Sequence, residues 1–253
     1  MPEHDLAPLI LDVSLERKWV RSFDEYPFCI PCVRNLTTLK FHPKVTYFVG
    51  ENGTGKSTLL EAVAVRLGLN AEGGSRNFSF ATRESHSDLH RCLRIARPAV
   101  RHVGDDAFFL RAESFYNVAS EVDRVFEGDD AARSRSYGNA SLHEQSHGEA
   151  FFSLLTTRFR EYGLYLLDEP ESALSPTRQL SMLTLMHDLV RRGSQFIIAT
   201  HSPIVMAYPD ATIYHFTSEG IRTVEYTETE HYKTTRMFLE RREAMLRELL
   251  KEE

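Results

Sequence analysis

The sequence has few cysteines, no long apolar run and no excess of positive charge. Only three of its 253 residues are cysteine, which excludes a disulfide framework and suits a reducing compartment. No segment approaches the roughly 18 apolar residues that cross a bilayer, and the start is acidic where a signal peptide would be basic, so we expect a cytoplasmic protein. The net charge of -6 argues against a generally basic nucleic-acid binder but leaves room for a local basic patch.

The cysteines also give little support to a metal site. Cys29 and Cys32 form a C-x-x-C pair, but the chain has no second pair, and Cys92 lies in a distant segment. Because a structural zinc site needs four ligands, we expect unpaired thiols in or beside a strand, with a metal or redox role as the alternative.

One stretch predicts a phosphate-binding loop. The run Gly50-Glu51-Asn52-Gly53-Thr54-Gly55-Lys56-Ser57-Thr58 satisfies the P-loop pattern, between a β-branched and aromatic strand (45–49) and an apolar helix pattern (59–67). Its glycines let the backbone N–H groups turn toward phosphates, and the new helix adds the positive end of its dipole. We expect Lys56 to supply a positive charge, Ser57 a ligand to Mg²⁺, and Thr58 a contact to the α-phosphate. The alternative is a glycine-rich turn with a chance Lys-Ser.

A second motif supplies the acidic partner that a P-loop requires. The apolar run 164–167 predicts a buried strand, and it ends in Asp168 and Glu169. Open α/β sheets place ligands at the carboxyl ends of their strands, so Asp168 is predicted to hold Mg²⁺ or its water. Glu169 follows directly and is expected to orient or deprotonate the attacking water.

Two further motifs give a resemblance to a known superfamily. Ser146-His147-Gly148-Glu149 opens a helix pattern 20 residues before Asp168, and His201 ends another buried strand 33 residues after it. In order and spacing the chain resembles the ABC-type ATPases, over roughly residues 36–216. The phrasing around Gly50, Asp168 and His201 is closest to the soluble SMC, RecF and repair-type branch, and the chain resembles a compact AAA-family ATPase without coiled-coil arms.

The resemblance implies a mechanism. Two chains would close head to tail over two ATP molecules with Mg²⁺, so that Ser146 and Gly148 of one chain face the P-loop of the other. Glu169 would be the catalytic base and His201 would contact the γ-phosphate or the water, together with Lys56. The signature is imperfect, since His147 replaces a usual glycine. The best match for the coupling glutamine is Glu113, which either binds Mg²⁺ or its water shell or forms a structural ion pair with Arg111 or another basic group.

The role of ATP hydrolysis is left open by the sequence. We expect a soluble ATP-dependent homodimer switch, in DNA repair or defence, with a nucleic-acid or protein partner. The nucleotide-binding subunit of an ABC transporter is the alternative. The only locally basic segment, 83–102, is either a solvated helix face or a phosphate-tracking surface. One of Phe23, Tyr26 and Phe28 could stack on an adenine ring, although core packing is the ordinary role of such residues.

The predicted architecture is a single α/β domain over residues 1–253. We expect a P-loop NTPase fold with a mostly parallel central sheet, an N-terminal antiparallel β lobe over about 1–48, and a helical insert over about 84–150. A hairpin is predicted around 218–220. An amphipathic C-terminal helix over about 230–253 would pack on its own domain or on a partner.

Overall fold

The computed structural model describes residues 7–74, 87–99, 103, 106–113, 115 and 147–251. The strands in these ranges are β1 (Asp12–Leu15), β2 (Thr38–Lys40), β3 (Val45–Gly50), β4 (Leu93–Ala96), β5 (Ala107–Arg111), β6 (Leu164–Asp168), β7 (Gln195–Ala199), β8 (Ala211–Thr217) and β9 (Gly220–Thr223). The α-helices are α1 (Pro31–Arg34), α2 (Lys56–Arg66), α3 (His147–Arg158), α4 (Pro176–Arg191), α5 (Glu230–Glu240) and α6 (Arg242–Leu249).

A six-stranded sheet forms the centre of the molecule, in the order β5-β6-β7-β3-β8-β9. All neighbouring pairs are parallel except β8 with β9, which form the predicted hairpin. The prediction of an α/β fold with a mostly parallel central sheet is therefore confirmed. Parallel order also brings the carboxyl ends of β3, β5, β6 and β7 to the same edge of the sheet, where the candidate site lies.

Alternation along each strand builds a core on both faces of this sheet. Tyr47 and Tyr165 point to the face that carries α3 and α4, whereas Phe48 and Leu166 point to the face that carries α2. Successive side chains of a strand point to opposite faces, so strands covered on both sides read as continuous apolar runs. The runs at 45–49 and 164–167 have that character because both of their faces are buried.

A three-stranded antiparallel sheet, in the order β2-β1-β4, confirms the predicted antiparallel sheet, but only β1 and β2 come from the predicted lobe 1–48. Strands β4 and β5 lie within 84–150, so the prediction of a helical insert there is wrong for these residues of the described ranges. The chain is already apolar at residues 8–11, but the first strand begins only at Asp12. Leu9 and Ile10 do not join a ladder, because the buried side chain of Gln195 accepts hydrogen bonds from both of their amides, at 2.9 and 3.0 Å. The same amide group donates to the carbonyls of Ile10 and His42, each at 3.0 Å.

Two segments differ from the expected helices. Residues 88–96 are a short 3-10 helix followed by β4, with Leu93 buried against β1, so the described part of the arginine-rich segment is not a solvated α-helix. The C-terminal helix is divided in two, because Arg241 leaves helical geometry at φ -130°. None of the helices in the described ranges is long and apolar enough to cross a bilayer.

Candidate functional site

The loop between β3 and α2 can be built only with glycine at its ends. Gly50 has φ +138°, and a Cβ atom there would collide with the carbonyl oxygen of Phe216 on β8. Gly55 has φ +97° and lies against the side chain of Ile30, 3.1 Å from an ideal Cβ position. Side chains other than glycine rarely adopt these backbone angles, so the loop keeps its curl and leaves residues 51–53 exposed.

The lysine of this loop lies inside it. Lys56 is only 4% exposed, and its ammonium group donates to the carbonyl oxygens of Gly50 and Glu51, each at 2.8 Å. Burial lowers the pKa of Lys56, and the nearby carboxylates of Glu169 and Asp168 act in the opposite direction. The loop thus surrounds one positive charge at the start of a helix, which is an arrangement that favours anions.

The first acid of the buried strand meets the P-loop directly. The hydroxyl of Ser57 donates to Oδ1 of Asp168 at 2.8 Å. On the other side of the carboxylate, Arg111 Nε donates to Oδ2 at 3.0 Å, and the same guanidinium donates to Glu61 on α2 at 2.9 Å. The hydroxyl and carboxylate oxygens fit a hard divalent cation, which prefers oxygen ligands.

The second acid is held in an unusual backbone conformation. Glu169 has φ +50° and ψ +51°, a left-handed conformation that non-glycine residues seldom adopt and that concentrates at functional sites. Its pKa is raised by burial and by the neighbouring carboxylates of Asp168 and Glu171. Oε1 of Glu169 lies 3.6 Å from Nε2 of His201, which lies two residues beyond the end of β7. The structure therefore brings the predicted base and the predicted sensor together.

A third acid, which was not predicted to act here, holds the loop that carries the histidine. The carboxylate of Glu171 accepts hydrogen bonds from the Thr200 hydroxyl at 2.8 Å and from the amides of His201 and Ser202 at 2.5 and 3.2 Å. Burial raises the pKa of Glu171, and these three hydrogen bonds oppose that rise. The only signal in the sequence is its position, two residues beyond Glu169.

The remaining predicted residues are less completely defined. Ser146 lies outside the described residues. Gly148 lies on the first turn of α3, and a Cβ atom added to it would lie 3.0 Å from the carbonyl oxygen of Ala173. Glu113 is exposed and follows β5 at the same edge of the sheet. Within the described ranges, no group of three or more histidine, cysteine or acidic side chains is arranged to hold a metal ion. Arg111 pairs with Asp168 and Glu61 rather than with Glu113.

The aromatic side chains near the P-loop differ in burial, and so do the two cysteines of the C-x-x-C pair. Phe28 is buried in the core, whereas Tyr26 is 67% exposed and its hydroxyl lies 3.4 Å from the Thr58 hydroxyl at the end of the P-loop. Tyr26 is therefore the aromatic side chain available beside the loop. Cys29 is exposed, whereas Cys32 is buried and its thiol donates to the Thr217 carbonyl at 3.1 Å. The two thiols of the C-x-x-C pair therefore lie in different surroundings.

Comparison with known proteins agrees with this geometry. Residues 18–198 match a family described as AAA domain, and this range is most of the chain. The chain belongs to this AAA domain family. Its members are generally P-loop ATPases, so the prediction of an AAA-family P-loop domain is confirmed at the level of the family.

Several individual proteins are similar to this AAA domain. An ABC transporter G family member STR2 from Medicago truncatula is 28% identical over 173 residues, which are 63% of this chain but only 24% of that protein. A bacterial Atm1-family ABC exporter solved with ATP bound has a TM-score of 0.50 at 16% identity, covering 92% of this chain and 43% of the exporter. The SMC head domain from Thermotoga maritima has a TM-score of 0.47 at 18% identity, over 85% and 99% of the two chains.

Proposed function

We propose that this AAA domain binds ATP with Mg²⁺, hydrolyses it, and closes as a homodimer around two nucleotides. The contact between Ser57 and Asp168, made beside the buried ammonium group of Lys56, supports this proposal most directly. It joins the P-loop to the end of β6, which lies one strand away from β3 beyond β7, and phosphoryl-transfer sites use such a combination to position the phosphates and the metal ion.

Each residue has a role that follows from its surroundings. The P-loop, residues 50–58, cradles the phosphates, while Ser57 and Asp168 would hold Mg²⁺, which neutralises charge on the phosphate oxygens when bound. Glu169 accepts a proton from the attacking water, and burial together with neighbouring carboxylates makes it a stronger base by raising its pKa. His201, 3.6 Å from Glu169, contacts the water or the γ-phosphate. Glu113 completes the proposed metal environment through the water shell.

The homodimer proposal rests on the imperfect signature at residues 146–149. The N-terminus of α3 would face the γ-phosphate bound by a second copy, with Ser146 and Gly148 acting across the interface. ADP lacks that phosphate, so ATP would hold the dimer and hydrolysis would release it.

Replacing Glu169 with glutamine tests both the ATPase activity and the ATP-dependent homodimer. The variant should form a dimer in size-exclusion chromatography with Mg-ATP and remain a monomer without it, because the nucleotide is bound and not consumed. Its kcat should fall by roughly 100- to 10,000-fold, as expected for loss of a general base. A matched Lys56→Ala variant should bind no ATP and form no dimer. A Glu169→Gln protein that stays monomeric with bound ATP would contradict the shared site, and a wild-type protein without ATPase activity would contradict the enzyme.

We propose further that hydrolysis is coupled to nucleic acid, in repair or defence. The observation that favours this role is a surface depression that Trp19 lines together with Arg21 and Arg91, of which Arg91 also pairs with Asp88 at 3.2 Å. Trp19 is 65% exposed and is the only tryptophan of the chain. Its fluorescence should therefore fall on titration with single-stranded DNA or RNA, with a salt dependence typical of phosphate contacts. No quenching at low salt would refute nucleic-acid binding at this surface.

A transporter subunit is the second candidate, and the similarity to a transporter over 24% of its length favours it. In that case the domain would copurify with a membrane protein and would leave Trp19 fluorescence unchanged by nucleic acid.

A further inference from the structure

The catalytic histidine proposed above has a partner on the C-terminal helix pair. Nδ1 of His201 lies 3.0 Å from Nε2 of His231, and the two rings are 5.1 Å apart at 65°. His231 is the second residue of α5, and it comes from a part of the chain that no motif of the P-loop site includes. A contact of this length between two ring nitrogens requires that one of them carries a proton and the other accepts it.

The second nitrogen of His201 decides which ring donates. Nε2 of His201 is buried, has no hydrogen-bond partner among the described residues, and lies 3.6 Å from Oε1 of Glu169. A bare lone pair at that position would oppose a carboxylate, whereas an N–H group would point a donor at it and at the space beside it. A neutral imidazole carries one proton, so protonation at Nε2 leaves Nδ1 as the acceptor. His231 must then donate through its Nε2–H.

The surroundings keep both rings neutral. Burial lowers the pKa of His201 to about 4, and the charge of Lys56 acts in the same direction. Burial also lowers the pKa of His231, with Lys56 and His215 acting in the same direction and Glu230 opposing them. Two neutral rings are the condition under which the contact selects a tautomer.

The start of α5 is fixed to the loop that carries His201. The hydroxyl of Tyr226 donates to the Pro203 carbonyl at 2.8 Å, two residues after His201. The Tyr226 ring packs on Tyr232 with centroids 4.8 Å apart, and the buried Thr229 caps the helix by accepting from the Tyr232 amide. The hydroxyl–carbonyl bond, the ring contact and the cap together hold the His231 ring in register with the His201 ring.

We propose that His231 is a positioning residue that holds His201 in its Nε2–H form, so that helix α5 belongs to the ATPase site. The proposal rests on the role given above to His201. It assigns a function to the first turn of a helix that also carries the exposed side chains of Met237 and Leu239. Whatever changes the position of α5 would change the proton that His201 presents to the nucleotide.

The tautomer can be read without any activity. Long-range ¹H–¹⁵N NMR distinguishes Nε2–H from Nδ1–H imidazole, and the His201 signals are assigned by their loss in His201→Gln. We expect the Nε2–H form in the wild-type protein and a mixture of forms in His231→Leu. His231→Gln keeps an N–H donor near the original position and should retain the Nε2–H form. Observation of the Nδ1–H form in the wild type would overturn the proposal.

Kinetics give the second readout. His231→Leu should lower kcat by roughly three- to tenfold, the equivalent of one net hydrogen bond, with KM changed by less than about twofold. His231→Gln should recover most of that loss. The control is His187→Leu, which removes a histidine of α4 that bonds to Tyr208 and should leave kcat at the wild-type value. Equal losses in both His231 variants would overturn the positioning role. A wild-type protein without ATPase activity would refute the proposed function, while the NMR result would still decide the tautomer.

Discussion

Removal of the Arg111 guanidinium should destabilise the fold and disturb the site together. Arg111 bonds to Asp168 at 3.0 Å and to Glu61 at 2.9 Å, and the side chains of these two acids are 5% and 15% exposed. In Arg111→Met both carboxylates would lose the cation that they share, in surroundings where water replaces it poorly. Breaking a buried ion pair from one side typically costs 3–5 kcal/mol, so we expect a loss of about 4 kcal/mol in the free energy of unfolding.

Urea denaturation followed by circular dichroism measures this loss, and the chain offers a matched control. Arg236 pairs with Glu240 at 2.7 Å, but their side chains are 59% and 57% exposed. Arg236→Met should leave the midpoint almost unchanged, because exposed pairs contribute little. Neutralising the orphaned acids as well, with Glu61→Gln and Asp168→Asn, should recover a large part of the stability. A loss below about 1 kcal/mol in Arg111→Met would refute the reasoning that this pair is buried and shared.

Three further predictions follow from single features of the site. His201 should titrate in NMR spectra near its pKa of about 4, because burial lowers the pKa of the folded state. Its contribution to stability should therefore be lost as the pH falls from 6.5, the ordinary histidine pKa, toward 4. A titration midpoint near 6.5 would contradict this. Gln195→Leu leaves two amides and two carbonyls without partners and should cost roughly 3 kcal/mol in urea unfolding, with faster hydrogen exchange in the N-terminal segment; an unchanged midpoint would show that these groups find other partners. Gly50→Ala should lower affinity for a fluorescent ATP analogue by at least about tenfold, because the added methyl group meets the backbone of β8; wild-type affinity would contradict that clash.

The parts of this fold that the sequence predicts are those encoded by local patterns. The loop 50–58 carries its glycines and lysine within nine residues, and the runs before it and before Asp168 are apolar because both faces of the central sheet are covered. The central sheet and the terminal hairpin follow from such runs and the turn between them.

The parts that the sequence does not predict depend on neighbours distant in the chain. Arg111 contacts Asp168 because each residue ends one of two adjacent parallel strands. The sequence of a single strand does not determine which strands will be its neighbours. Gln195 binds the amides of Leu9 and Ile10 from 186 and 185 residues away, so these two residues do not join the first strand. The two histidines likewise come from the loop after β7 and from α5, so periodicity in either segment does not predict their contact.

The position of β3 in the sheet has a consequence for biosynthesis. Both of its neighbours, β7 and β8, are made after residue 194, although β3 itself ends at Gly50. This apolar strand therefore leaves the ribosome long before the strands that pair with it are synthesised. The P-loop that follows it has no sheet to pack against during most of translation. Late closure of distant strands is slow and leaves unpaired edges open to aggregation. The nascent protein should consequently rely on chaperones until the final quarter of the chain emerges and closes around the strand.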